Sequence, residues 1–350
     1  MKSQPMKSKI GACLMISVVS ISLLFVQALS AEDAVFSQDG TTIFVAHRSG
    51  SGPGQLHVIS LKASEMTAIR VPKVQGQIRK VARTKDGIIL CMTSVAAYTW
   101  NPETGEVERI SDAGGARQFL DMICHPVTGV VVFQMERSGR GPYSIQSRGA
   151  RKVPEKTTMT RLAAKGIPHG TEFRGMGFDP KGSFFFGCDG DLWHGDFRNV
   201  NSFGGELYSY RYAPLAGRVS SGGGNPAQMG LKSIVAAGPW LYIHHYRMGG
   251  TGWGEIIRIA KPERKISTDG KPDYPGPGFE ESVGVYKRAL GSATVVGKND
   301  DSSPCIAASP DGKLVYFRAE AEGEMAHWLV RDNGAPKRLA ISDKTKDSVK

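Results

Sequence analysis

Long hydrophobic runs are almost absent from this chain. Only Ile10 to Val26 is nearly continuous in apolar residues, and no later segment is apolar enough to span a bilayer. Cysteine is scarce too, with five in 350 residues, no C-x-x-C pair and no metal-ligand spacing. The H-E-x-x-H, P-loop, G-x-G-x-x-G and complete calcium-loop motifs are missing, so the common zinc-protease and nucleotide-binding chemistries are not indicated. There is no G-x-S-x-G nucleophile elbow. Runs of like charge are also lacking. Lys and Arg are scattered, aromatic residues do not alternate with them, and nucleic acid is not expected as a partner.

What is abundant is turn chemistry. The chain holds 43 Gly and 19 Pro, with 40% hydrophobic and 22% charged residues. That composition rules out wholesale disorder and points to a turn-rich β protein rather than a helix bundle.

The first 31 residues read as a targeting segment. Lys2, Lys7 and Lys9 precede the apolar stretch, and Ala28-Leu29-Ser30-Ala31 supplies small residues before Glu32 and Asp33. That order is a secretory signal peptide, expected to be cut near Ala31 or Glu32. The competing reading is an uncleaved membrane anchor. Cys13 resembles a lipidation site only locally, because most of the apolar stretch follows it. Cleavage removes three Lys and no acid, lowering the net charge from +11 to +8. A periplasmic or secreted location is expected, with no transmembrane segment after cleavage. The basic mature chain suits a protein or an anionic carbohydrate as partner.

Cys91, Cys124, Cys188 and Cys305 remain after cleavage. Cys91 and Cys188 sit in or at the end of apolar strands, where a lone Cys behaves as a small hydrophobe. Buried free thiols are the expected state. Two disulfides are the alternative, which export permits.

A phrase recurs along the chain: an apolar strand, a turn rich in Pro, Asp and Gly, then a stronger apolar strand. It appears at Phe36–Val45, Thr84–Cys91, His125–Phe133, Phe178–Phe186 and Ser309–Phe317, with a degenerate copy at Ala237–Ile243. The first four turn glycines lie at 40, 87, 129 and 182. A third strand follows each pair, and a weaker, more polar fourth strand follows some of them. Four strands per unit at this period is the pattern of propeller blades, whose sheets must stack in a ring to bury both faces.

Ser309-Pro310-Asp311-Gly312-Lys313-Leu314-Val315-Tyr316-Phe317 and its weaker copies resemble the WD40-like repeat of TolB-type β-propellers. The resemblance spans roughly residues 34 to 342. It implies an all-β propeller of about six four-stranded antiparallel blades in one domain over 32–342. An inserted loop is expected near 261–301, and a polar tail over 343–350. With almost nothing preceding Ala34 after cleavage, the ring is expected to close by packing last blade on first, without an exchanged strand. Relatives of this kind are envelope proteins that bind partners or serve as scaffolds. The leading functional expectation is therefore a binding or scaffold module. A channel-mouth enzyme, lactonase-like or another hydrolase or lyase, is the alternative.

Candidate site residues follow from that geometry. Arg48, Arg137, Arg247 and Arg318 each open a loop after a second strand, so stacked blades would place four guanidinium groups around one face. His169, His244 and Trp253 fall near the same loops. No cofactor is expected, although calcium, or a divalent metal held by His from several blades, is weighed as the alternative. Asp189, Asp191 and Asp196 are the potential calcium ligands, although Asp-Gly between apolar strands is first a hairpin turn.

Overall fold

The computed structural model describes residues 31–47, 52–113, 118–135, 143–145, 160–161, 163–165, 173–188, 191–198, 206–213, 229–247, 254–261, 294–298 and 305–345. The described strands form six sheets. Sheet 1 joins β1 (Ala31–Phe36), β2 (Thr42–His47), β3 (Gln55–Ser60) and β4 (Glu65–Arg70), with β26 (Ser342–Asp343) added at its outer edge. Sheet 2 runs from β5 (Lys80–Arg83) through β6 (Ile89–Met92) and β7 (Ala96–Trp100) to β8 (Val107–Asp112). Sheet 3 holds β9 (Phe119–Cys124), β10 (Val131–Met135), β11 (Tyr143–Ile145) and β12 (Thr160–Arg161). Sheet 4 holds β14 (Phe173–Phe178), β15 (Ser183–Cys188), β16 (Asp191–Arg198) and β17 (Glu206–Ala213), with β13 (Ala163–Lys165) beyond it. Sheet 5 holds β18 (Met229–Ala237), β19 (Trp240–Arg247), β20 (Gly254–Ala260) and β21 (Thr294–Lys298). Sheet 6 holds β22 (Ile306–Ala308), β23 (Leu314–Ala321), β24 (Glu324–Arg331) and β25 (Lys337–Arg338).

The first strands touch one another in a closed circle: β1, β5, β9, β14, β18, β22 and back to β1. This is a β-propeller with the first strand of each sheet innermost. The core is divided accordingly into six apolar clusters, one between each pair of neighbouring sheets. Phe119, Met122 and Phe133 of sheet 3 meet Leu90 and Met92 of sheet 2, and Tyr316 and Leu329 of sheet 6 meet Phe36 and Ile43 of sheet 1. Each sheet is apolar on both faces because each face is covered by a neighbour. Among the described residues, no helix is long and apolar enough to cross a membrane.

The repeated turn has one physical design. Its first residue carries an acceptor side chain that takes a backbone N–H from further round the turn. Ser37 Oγ accepts from Thr42 N–H at 3.0 Å, and Ser309 Oγ accepts from Leu314 N–H at 2.9 Å. Asp179 Oδ1 accepts from Lys181 and Ser183, and His125 Nδ1 accepts from Val127 and Thr128. Asp39 and Asp311 accept from the hydroxyls of Ser37 and Ser309, which holds both carboxyls below their ordinary range. The glycine that ends the turn is left-handed, as at Gly182 with φ 91°. A Cβ on Gly182 would sit 2.5 Å from His125 Cε1, so this turn also packs on the preceding one.

Two sheets carry a fifth strand, where four were expected. In both cases it pairs in parallel and comes from outside the unit: β13 on β17, and β26 on β4. The second corrects the expectation of closure without an exchanged strand. Ser342 N–H donates to Ser64 O and Lys344 N–H to Met66 O, so the chain end laces the first sheet. The polar tail expected from 343 begins as structure, and Thr345 is buried. A two-residue polar segment gives almost no strand signal, which is why it read as a tail.

Cys91, Cys124 and Cys305 are buried thiols that form no disulfide. Burial pushes the Cys91 thiol well up and that of Cys124 up to about 12, so neither is a nucleophile at neutral pH. The side chain of Cys188 lies outside the described residues.

Candidate functional site in the central channel

The six innermost strands enclose a cavity of about 380 Å³, lined by residues from every sheet. Each innermost strand has only one neighbour within its sheet, so its other edge turns backbone groups toward the channel that no strand pairs. The repeated turns lie at the ends of these strands. The channel therefore has a turn side and a far side.

Toward the far side, three charged residues from three consecutive sheets share one stretch of wall. Asp33 is on β1, Lys80 opens β5 and Asp121 is on β9. Lys80 Nζ lies 3.4 Å from Asp121 Oδ1 and 4.0 Å from Asp33 Oδ2. Asp33 Oδ2 also accepts the channel-edge N–H of Val81 at 3.2 Å, and Asp121 Oδ1 accepts from Met122 N–H at 2.8 Å. All three line the cavity, and both carboxylates are buried.

Burial pushes the Asp33 carboxyl up to about 7, which the Lys80 ammonium partly offsets and the Asp121 carboxylate reinforces. The wall thus offers a carboxyl whose proton is held toward neutral pH, beside a second carboxyl and an amine. It can donate and accept hydrogen bonds, and Asp33 can exchange a proton. The ammonium supplies positive charge beside the two carboxylates, in the place a metal cation would take. Among the described residues, no group of three His, Cys, Asp or Glu side chains could hold a metal ion.

The turn side of the channel is lined by Gln38, Arg83, Lys85, Asp179 and Pro310, among others. Asp179 is neutralised there by Lys261 Nζ at 3.1 Å.

The residues expected from sequence are placed differently. Arg48, Arg137, His169, Trp253 and Asp189 lie outside the described residues, and so does most of the insertion near 261–301. Arg247 ends β19 rather than opening a loop. Arg318 does not open a loop either. Strand β23 continues three residues beyond it to Ala321, and Arg318 is buried opposite His327 of β24. It sits where sheet 6 meets sheet 1, beside His57 and His327, whose pKa values burial lowers and the Arg318 charge lowers further. The tetrad of guanidinium groups around one mouth is therefore corrected for Arg318. His244 was expected near a second-strand loop. It lies within β19, fully buried, paired with Ser233 and Ile256. Alternation along β19 sends it to one face of sheet 5 and His245 to the other, so the two do not share a ligand. Asp191 and Asp196 occupy the first and sixth positions of β16, about 16 Å apart along the strand. One calcium shell does not span that separation.

Sequence reasoning missed the channel trio. Asp121 carried a signal, as a lone acid in the apolar run Phe119-Leu120-Asp121-Met122-Ile123. Asp33 was read only as the residue after a leader, and Lys80 gave no signal at all.

No protein-family model and no curated protein matches the sequence. Solved structures show the fold. The chain is similar to the calcium-binding protein regucalcin of Agrobacterium tumefaciens, at 14% identity and a TM-score of 0.51, covering 85% of this chain and 84% of that one. It is similar to a putative gluconolactonase, at 12% identity and a TM-score of 0.51, covering 89% and 90%. It is also similar to the β-propeller domain of Myceliophteria thermophila Swd1, at 13% identity and a TM-score of 0.50, covering 88% and 85%. At such identities the likeness is one of fold. The fold and its charged channel define the chain as a β-propeller. The TolB-type resemblance rests on the repeats themselves, not on a family match.

Proposed function

We propose that the six sheets are the blades of an exported β-propeller that binds a small polar ligand in its central channel, in contact with Asp33, Lys80 and Asp121. The observation that carries this reading is the trio itself. Taking an ammonium and two carboxyls out of water costs several kcal/mol, and apolar residues at these positions would pack the channel wall more cheaply. Charge retained in a cavity that can admit a small molecule fits a recognition role. Export rests on the order of basic, apolar and small residues over 1–31.

A second reading is favoured by one observation. A carboxyl with a pKa near neutrality in a channel is poised for general acid–base work, so the ligand would be a substrate and Asp33 its proton-transfer group.

The test is a thermal-shift screen of the purified protein against polyols, sugar lactones, the corresponding sugar acids and simple amines. The same screen is run on the double variant Lys80→Met with Asp121→Asn. At least one class should raise the Tm of the parent and leave the folded variant unmoved. No response from the parent, or the same response from both proteins, overturns the proposal. Turnover of the responding compound that Asp33→Asn abolishes while binding persists selects the enzyme reading.

A further inference from the structure

Arg83 ends β5 on the turn side of the channel, and Lys85 follows it in the next turn. Both line the cavity. Arg83 Nη1 donates to Gln38 Oε1 of the neighbouring sheet. Its Nε is buried and makes no hydrogen bond to the protein.

Two of the acids on this side are committed elsewhere, and Asp86, exposed in the same turn, makes no ion pair with Arg83. Asp39 is held by Ser37 and Thr41, and Asp179 by Lys261 and two backbone N–H groups. Among the described residues, no carboxylate pairs with Arg83. A guanidinium carries five donors in a planar fork. Leaving one of them buried and unmet is unfavourable. Burial also lowers the Arg83 pKa from its ordinary value, the mark of a charge with reduced hydration, and such a charge attracts an anion more strongly than one in open solvent.

We infer that Arg83, with Lys85 beside it, binds the carboxylate or phosphate group of a small anion that enters the channel from the turn side. An oxyanion fits a planar fork in two-point fashion and would bind the end of the guanidinium that lines the channel, the buried Nε lying behind it. Gln38 holds one arm of the guanidinium, which restricts its rotation before the anion arrives. This site stands apart from the Asp33–Lys80–Asp121 wall, and its charge has the opposite sense.

The test uses inorganic phosphate and citrate as probes, in calorimetric titrations of the purified protein at low ionic strength. At least one probe should bind with one-to-one stoichiometry, and added salt should weaken binding. Phosphate alone indicates a phosphoryl ligand, citrate alone a carboxylate, and both a general oxyanion site. Arg83→Gln should weaken binding about tenfold or more. The Lys80→Met, Asp121→Asn protein should bind the probes as the parent does, which keeps this result separate from the fate of the far-side reading. If Arg83→Gln does not fold, the parent alone decides. A saturating probe should slow modification of Arg83 by phenylglyoxal, read by peptide mass spectrometry. Failure of both probes to bind, undiminished binding by a folded Arg83→Gln protein, or unchanged modification of Arg83 overturns the inference.

Discussion

Asp33 is the residue whose protonation the fold alters most usefully. Its folded carboxyl titrates near 7 against an ordinary value of 3.8. Below pH 4 both folded and unfolded chains hold the proton, and the shift is neutral for stability. Between about 4 and 7 the unfolded chain loses the proton first, so stability falls as pH rises, by up to about 4 kcal/mol above pH 7. Asp33→Asn keeps an acceptor for Val81 N–H and removes that penalty. Thermal unfolding of the variant should show a gain on the order of 2 kcal/mol at pH 8 and almost none at pH 4. An equal effect at both values contradicts the assignment. The variant is needed because His327 acts in the opposite sense. Burial, helped by Arg318, holds it down to about 4, so acidification from pH 6.5 to 4 removes stability. In the parent the two slopes overlap and partly cancel.

Residues that act within a few positions of themselves were legible in the sequence. Ser309, Asp311 and Gly312 read as a turn, and each plays a local part in one. Asp33 and Lys80 were not legible, because their meaning depends on strands 47 residues apart meeting at a channel wall. Arg318 was misread for a related reason. Its position was inferred from where a strand was thought to end, and β23 runs on to Ala321.

Among the elements, β26 has the largest consequence for its length. Two residues of parallel pairing, with Lys344 and Thr345 beyond them, tie the end of the chain to β4. The link lies beside the seam where Tyr316 and His327 share a hydrogen bond of 2.8 Å and where Asp343 acts on His57. Ending the chain after Ile341 removes the Ser342 and Lys344 backbone bonds but leaves Leu339 and Ile341 on the apolar cluster. The truncated protein should fold and lose about 2 kcal/mol in denaturant unfolding, two hydrogen bonds and a buried Thr being gone. Unchanged stability would show the lacing to be incidental. The strands flanking the repeated turns were legible from apolar runs and turn residues, while the outer ones, such as β4 and β12, largely were not. The parallel ones were not, since β13 and β26 are too short to carry a period and are specified by the edge they meet.

For the whole molecule, closure is what turns sheets into a site. Each wedge of core between neighbouring sheets resembles the others, from Phe44 and Trp100 at one junction to Tyr242 and Phe317 at another. Only completion of the circle leaves a cavity with charged residues from five sheets in its wall. The ring could be anticipated from six turn phrases and their period. The contents of its centre could not, because they depend on which innermost residues meet across the gaps between sheets. The most direct measurement is a crystal structure of the protein grown with the compound that gives the largest thermal shift. The predicted result is ligand density in the central channel, within hydrogen-bond distance of Lys80 Nζ and of a carboxyl oxygen of Asp33 or Asp121. Ligand bound on the outer surface, with the trio making only the contacts it makes now, would contradict the account.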